Sequence, residues 1–316
     1  MDQIQHKYIS VQGLKLHVAD IGTGPNVIVF LHGFPEIWYT WRHQMIAAVN
    51  AGFRAIAPDY RGHGLSDPPP EPDKASCRDL INDLLAILED LAIPKIFCFW
   101  FLVAKDFGCW PAYVLSLLYP DRALGVVTLG VPYIPASSRP DFKKPLPEGF
   151  YISRFQEPGR AEADFGRFDA TTVFRNIYIL FSRSEIPIAA ENQEIMDLVD
   201  PSTPLPPWLS EEDLEAYGAS YEKTGFQTAL QITYRSKPDD MGITELVVKV
   251  PVLVIVGKKD YFNKFPGIED IITSGMVKEF ASDLELVYMP EGTHFAQEQS
   301  PDQFNQLMLT FLGKHI

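Results

Sequence analysis

Cysteine is scarce in this chain, with Cys77, Cys98 and Cys109 the only three in 316 residues. They form no CxxC pair and no Cys/His metal spacing, and an odd number makes a poor disulfide framework. A reducing compartment and no clustered metal site are expected. Long apolar runs are also missing. The longest, Ile96 to Ala104, is about half of what a bilayer span needs. The opening MDQIQHKYIS has neither a basic stretch nor an apolar one behind it, and the closing GKHI is no peroxisomal or reticular address. The expectation is a cytoplasmic protein with no membrane span. Basic charge is short as well: 27 Lys+Arg stand against 41 Asp+Glu, a formal net charge of -14. Nucleic acid and anionic membrane are excluded as partners, since both are bound through basic patches. What remains is a normal globular mixture, 46% hydrophobic, 12% aromatic and 22% charged. A chain of this length buries a sizeable core.

The apolar pattern alternates between strand and helix. Tyr8 to Val11 and Leu14 to Ala19 flank a Gln12-Gly13 turn, and the second of them alternates as a half-exposed hairpin strand does. Val27 to Leu31, Arg54 to Ala57, Ile96 to Ala104 and Ala123 to Leu129 are short runs that suit strands buried on both faces. Helical patterns at Trp41 to Asn50, Lys74 to Leu91 and Gly108 to Tyr119 separate them. Such alternation predicts βαβ units and a mostly parallel central sheet flanked by helices. After Val131 the texture changes: Pro132, Pro135, Pro140, Pro145 and Pro147 crowd together. The chain then reads as mainly helical from Gly159 to Lys237, interrupted between Pro201 and Pro207. Strand patterns return at Val250 to Val256 and Glu285 to Met289, and Pro301 to Leu312 closes as a helix. Residues 1–132 and 241–316 are expected to form one α/β domain, with 133–240 a helical insertion.

The chemistry centres on Val103-Ala104-Lys105-Asp106-Phe107-Gly108. Asp106 sits where a buried strand gives way to a helix, and small residues two places to either side suit a sharp, crowded elbow. An elbow of that kind lifts one side chain above the sheet and aims the following backbone N–H groups at it. No G-x-S-x-G occurs anywhere; the lifted residue here is Asp. Taken alone, Asp106 suits a helix N-cap equally well. Asp260 leaves the strand ending at Val256, and His294 leaves the strand ending at Met289. Parallel strands bring such loops to one edge of the sheet, where ligands bind. A lone loop histidine is usually a surface residue, but three strand-end residues in the order Asp, Asp, His make a coincidence improbable.

With those residues in place, the chain resembles the α/β-hydrolase family, and within it the soluble plant-type epoxide hydrolases. The likeness runs almost end to end and rests on HGFPEIWYTWRHQM from His32, DYRGHGLSDPP from Asp59, VAKDFG, RFQEPGRAEADF from Arg154, VGKKDYF from Val256 and EGTHFAQEQSP from Glu291. The resemblance implies the α/β-hydrolase fold with an inserted helical cap. It makes Asp106 the nucleophile, Asp260 the acid and His294 the base. It implies an oxyanion hole of the Phe34 and Phe107 backbone N–H groups, and two cap phenols, Tyr151 and Tyr234. It also implies a substrate-facing set of His32, Pro35, Trp38, Trp110, Phe155 and Phe295, with His32 shaping the oxyanion loop.

These residue types suit epoxide opening. A carboxylate is ionised at neutral pH and attacks without a base. The leaving alkoxide takes a proton or hydrogen bonds from phenols, which bring no competing charge. His294, oriented by Asp260, then activates water against the Asp106 ester, giving a diol. No metal or cofactor is called for; the partners are a small lipophilic epoxide and water, and the chain is expected to act as a monomer or homodimer. Two rivals stand beside this reading. A dehalogenase shares the Asp and His, but Phe107 offers no indole N–H for a halide. A non-catalytic ligand-binding receptor on the same fold is suggested by the lengthened IFCFWFLVAK run before Asp106. The extra length is expected to bulge within that strand ahead of an undisturbed elbow. His6, His17, His43 and His315 read as surface or packing residues, and His63 as a loop residue beside Asp59.

Overall fold

The structure, a computed structural model, describes residues 3–91, 99–135, 138, 147–236 and 241–316. Eight strands make one sheet: β1 (Gln5–Val11), β2 (Leu14–Ile21), β3 (Val27–Leu31), β4 (Arg54–Pro58), β5 (Trp100–Lys105), β6 (Ala123–Leu129), β7 (Val252–Gly257) and β8 (Leu284–Met289). Their order is β1-β2-β4-β3-β5-β6-β7-β8. β1 pairs antiparallel with β2, and β2 with β4; every other pairing is parallel. The hairpin turn falls at Gln12 and Gly13, both left-handed with φ of 49 and 85, the hand that a two-residue connection between twisted strands requires. β2 differs from the half-exposed strand expected. Only Lys15 along it is exposed, because the helix after β3 packs on it. His17 is therefore fully buried and bonded to Asp59, 2.9 Å away, the packing place of the two expected for it.

Three helices belong to the first part of the chain: α1 (Arg42–Asn50), α2 (Cys77–Asp90) and α3 (Cys109–Leu118). α2 begins later than the periodicity from Lys74 suggested. Ser76 accepts from the Asp79 backbone N–H while Asp79 reaches back to the Ser76 N–H, so the start is set by a capping box. Between β6 and β7 lie α4 (Tyr151–Gln156), α5 (Arg160–Phe165), α6 (Ala170–Phe181), α7 (Glu211–Tyr221) and α8 (Gln227–Leu230). α8 runs straight into a π-helical turn, Gln231–Arg235. The last part adds α9 (Ile268–Ser274), α10 (Ala296–Gln299) and α11 (Pro301–Lys314).

β3, β5 and β7 are buried at every residue, as their uninterrupted apolar patterns require of strands covered on both faces. Within the described part of the strand before Asp106, the irregularity is a register shift between Trp100 and Phe101. Trp100 pairs with Ala123 and Phe101 with Gly125, so the extra residue is Leu124, on β6. Residues 96–98 of the lengthened run lie outside the described residues. The pairing of β5 with β3 runs unbroken from Val27 opposite Trp100 to Leu31 opposite Ala104. The end of β5 is thus in regular register, with β3 up to Ala104 and with β6 up to Lys105.

Candidate active site

Asp106 leaves β5 with φ of 49, one of two non-glycine residues with positive φ among those described. That strain is typical of a functional elbow held by its surroundings. The crowding is measurable. A Cβ on Gly108 would lie 2.4 Å from the carbonyl oxygens of both Leu31 and His32. One on Gly33 would lie 2.5 Å from Asp106 Cβ. β3 and the elbow approach this closely only because neither glycine has a side chain. The approach brings the Phe34 N–H to Asp106 Oδ1 at 2.9 Å. The Phe107 N–H is a further hydrogen-bond donor to the same carboxylate. Both donors named from the sequence therefore converge on Asp106.

The other two strand-end residues arrive at the same place. Asp260 follows β7 and caps the turn beginning at Tyr261, its Oδ1 accepting from the Phe262 N–H at 2.9 Å. His294 follows β8, with Nδ1 at 3.1 and 3.2 Å from the two Asp260 oxygens. Its Nε2 lies 3.4 Å from Asp106 Oδ2. Burial alone would raise the Asp106 carboxyl, but the His294 hydrogen bond and charge, the Lys105 charge and the Phe107 N–H hold it well below the usual carboxylate range. For His294, burial and the Lys105 charge act downward. Asp260, with the hydrogen bond that His294 donates to Asp106, overcomes them and raises it to about 9. The resting pair is an imidazolium against a carboxylate. Asp106 keeps 25% of its side-chain surface exposed while Asp260 keeps 1%, so only the former is open to a substrate.

Phenols and aromatic rings from the segment between β6 and β7 close over this group. Tyr151 opens α4, and Tyr234 lies in the π turn, an irregularity often found at functional sites. Their rings sit edge to face, centroids 6.4 Å apart. The Tyr234 ring meets Phe34 at 5.1 Å and Phe155 at 5.2 Å. Burial first, and then the Asp106 charge among others, pushes both phenols above their ordinary pKa, so both are proton donors at neutral pH. Phe107 and Trp110 stack at the mouth of the elbow, ring centroids 6.4 Å apart.

Two of the residues expected to face substrate do other things. The Trp38 ring packs against His6 and Tyr39, at 4.9 and 5.5 Å, and has no ring contact with Phe34, Tyr151, Phe155 or Tyr234. Its backbone N–H donates to Asp59 Oδ1 at 2.7 Å. His32 is fully buried and stacked on Tyr60 at 4.0 Å. Its Nδ1–H donates to the Gly33 carbonyl and its Nε2 accepts from the Tyr60 N–H. Burial lowers it to about 4, so it is a neutral pin for the loop that carries Phe34. Pro35 follows Phe34 through a cis peptide bond. Phe295 lies beneath His294, stacked on Tyr178 at 4.3 Å, with Lys105 Nζ over its ring at 4.3 Å.

Sequence reasoning missed a buried polar cluster behind these residues. Lys105 Nζ is 2.7 Å from Glu36 Oε2, and both side chains are essentially without exposure. Glu298, one turn past His294, accepts from Thr40, Tyr178 and Tyr217 at 3.1, 2.9 and 3.0 Å and pairs with Arg42 at 2.5 Å. Tyr178 and Tyr217 come from α6 and α7, so the cluster ties those helices to the sheet. A lysine beside an elbow and a glutamate in a short helix carry no sequence mark of burial. Tyr261 was missed too, although its place directly after Asp260 was a signal. Its ring lies 4.8 Å from that of His294. Among the described residues, no group of His, Cys, Asp and Glu side chains is arranged to hold a metal ion. No described helix is long and apolar enough to cross a membrane.

A strained Asp elbow, two converging N–H donors and a His–Asp pair from the next strand ends define a hydrolase site on an α/β sheet. Residues 26–301 match the family model described as alpha/beta hydrolase fold. The chain belongs to that family, in its epoxide-hydrolase branch. It is 37% identical to Epoxide hydrolase 3 of Siraitia grosvenorii, across 99% of this chain and 100% of the relative. Among solved structures it is similar to potato (Solanum tuberosum) epoxide hydrolase I, at 34% identity and a TM-score of 0.87, covering 98% of this chain and 99% of that one. It is also similar to an epoxide hydrolase from Vigna radiata, at 35% identity and a TM-score of 0.88, with 99% of each chain covered.

Proposed function

We propose that this protein hydrolyses lipophilic epoxides to vicinal diols through an ester on Asp106. One observation carries the reading: a strained, partly exposed Asp106 carboxylate set 3.4 Å from His294 Nε2 and 2.9 Å from the Phe34 N–H. In the first step an Asp106 oxygen attacks an epoxide carbon and the C–O bond opens. A phenol, Tyr151 or Tyr234, gives its proton to the departing alkoxide. In the second, the His294 imidazolium passes its proton to the phenolate left by the first step; the neutral ring then takes a proton from water, and the hydroxide oxygen adds to the ester carbonyl carbon. The Phe34 and Phe107 N–H groups, already directed at this carboxylate, stabilise the resulting oxyanion. Collapse breaks the ester bond and frees the diol, with Asp260 holding the imidazole oriented throughout. The rings around the carboxylate, Phe34, Phe107, Trp110 and Phe155, favour an apolar substrate body.

The test is a single turnover of an epoxy-stearate or styrene oxide in heavy-oxygen water. The ester route puts the label into Asp106 and leaves the first diol unlabelled, since the incoming water attacks the enzyme's carbonyl. Label in the first diol, or undiminished turnover by Asp106→Ala, would refute it. A halide-releasing reading finds less support. It would place a hydrogen-bond donor after the nucleophile, whereas Phe107 has only a hydrocarbon ring there.

A further inference from the structure

We propose that Tyr261 is a positioning residue for the ring-opening step, donating its hydroxyl proton to the Tyr151 oxygen so that the Tyr151 hydrogen is left facing the epoxide. This inference rests on the reading of Tyr151 as a proton donor. The two hydroxyl oxygens lie 3.2 Å apart. Among the described residues, Tyr151 is the only hydrogen-bond partner of the Tyr261 hydroxyl. Tyr261 is 3% exposed, and its ring is fixed between those of His294 at 4.8 Å and Phe181 at 5.1 Å. The turn that carries it begins at Asp260. Its hydroxyl is thus tied to the same loop as the acid and has little freedom to turn elsewhere.

Each phenol has one hydrogen, so the pair has two polarities. If Tyr151 donated to Tyr261, its lone pairs would face the substrate and it would hold no proton in position for the alkoxide. If Tyr261 donates, the Tyr151 hydrogen points at the epoxide oxygen. Accepting a hydrogen bond also makes Tyr151 a stronger donor and stabilises the phenolate left after transfer. Tyr234 has no hydrogen bond to Tyr261, so it supplies an internal control.

Tyr261→Phe keeps the ring and its packing while removing the hydroxyl. Single-turnover ester formation is expected to slow about fivefold, the effect of one neutral hydrogen bond, with KM nearly unchanged. The defect is expected to vanish in a Tyr151→Phe background and to persist in Tyr234→Phe. It should shrink for an epoxide with an electron-withdrawing substituent, whose alkoxide needs less protonation; a merely structural role would not follow alkoxide basicity. Unchanged or faster ester formation, or a loss confined to ester hydrolysis, would overturn the proposal. Nuclear magnetic resonance gives an answer independent of turnover. The hydrogen-bonded hydroxyl line should disappear in Tyr261→Phe and only shift in Tyr151→Phe; the reverse pattern would overturn the assignment. Should the wild-type protein open no epoxide, the functional reading falls, and this line still decides the polarity.

Discussion

Replacing Asp106 with Asn changes one charge and nearly nothing in shape, and so isolates the electrostatic coupling at the centre of the site. His294 Nε2 stands 3.4 Å from Asp106 and Nδ1 stands 3.1 Å from Asp260. Burial opposes the imidazolium, but Asp260, helped by the Asp106 hydrogen bond, raises it from 6.5 to about 9. A group whose pKa is raised by folding stabilises the native state fully below its unfolded value. That contribution disappears as pH climbs through the folded value. For His294 the window runs from 6.5 to about 9, and the contribution is about 3 kcal/mol. An Asn in place of Asp106 removes a charge-assisted hydrogen bond of about 1.5–3 kcal/mol. His294 is therefore expected to titrate about one to two pH units lower in the variant. The measurement is the imidazole titration by nuclear magnetic resonance, paired with urea unfolding at several pH values between the two limits. In the variant, the decline should begin at the same pH, set by the unfolded histidine, but finish at lower pH and be smaller in total than in the wild type. The consequence for turnover is direct. An ester on Asp106 is as neutral as Asn, so ring opening itself would release the His294 proton and ready the base for the next step. An identical His294 titration in the two proteins would refute this coupling.

Three further outcomes are expected. Lys105→Met strands the Glu36 carboxylate, 2.7 Å from the lost ammonium and without exposure, and should cost about 3–5 kcal/mol in chemical unfolding. Adding Glu36→Gln should recover much of that loss, and a double variant no more stable than Lys105→Met would show that the pair is not coupled. Gly108→Ala would put a Cβ 2.4 Å from two backbone oxygens. It should lower stability by about 1–3 kcal/mol and turnover with it, read by melting and by epoxide assay; a wild-type melt would show the elbow to be looser than described. Ser76→Ala removes half of the capping box that begins α2. It should cost about 1 kcal/mol with activity retained, and unfolding that is unchanged would mean the cap contributes nothing there.

The sequence by itself determined which segments become strands, and with them the places of Asp106, Asp260 and His294 at the strand ends. The physical reason is locality. Strands buried on both faces need unbroken apolar runs, a sharp elbow needs Ala104 and Gly108, and parallel strands put their C-terminal loops on one edge. Of the helices between β6 and β7, α5 to α8 fall within the helical stretch read from Gly159 to Lys237; α4 lies before it, and the gap between α6 and α7 runs from Ser182 to Ser210, far wider than Pro201 to Pro207. What only the tertiary structure decided depends on partners far away in the chain. Lys105 is a buried ion only because Glu36 meets it, and Glu298 is a hub only because Tyr178 and Tyr217 descend on it from α6 and α7. Trp38 packs on His6 and Tyr39, residues from β1 and its own turn, which its spacing alone does not reveal. The extra residue opposite the start of β5 belongs to β6, since register is a property of two strands together. Tyr261 gains its place beside Tyr151 across 110 residues of sequence separation. A spacing pattern reports the face on which a side chain lies. Only packing supplies the group that meets it.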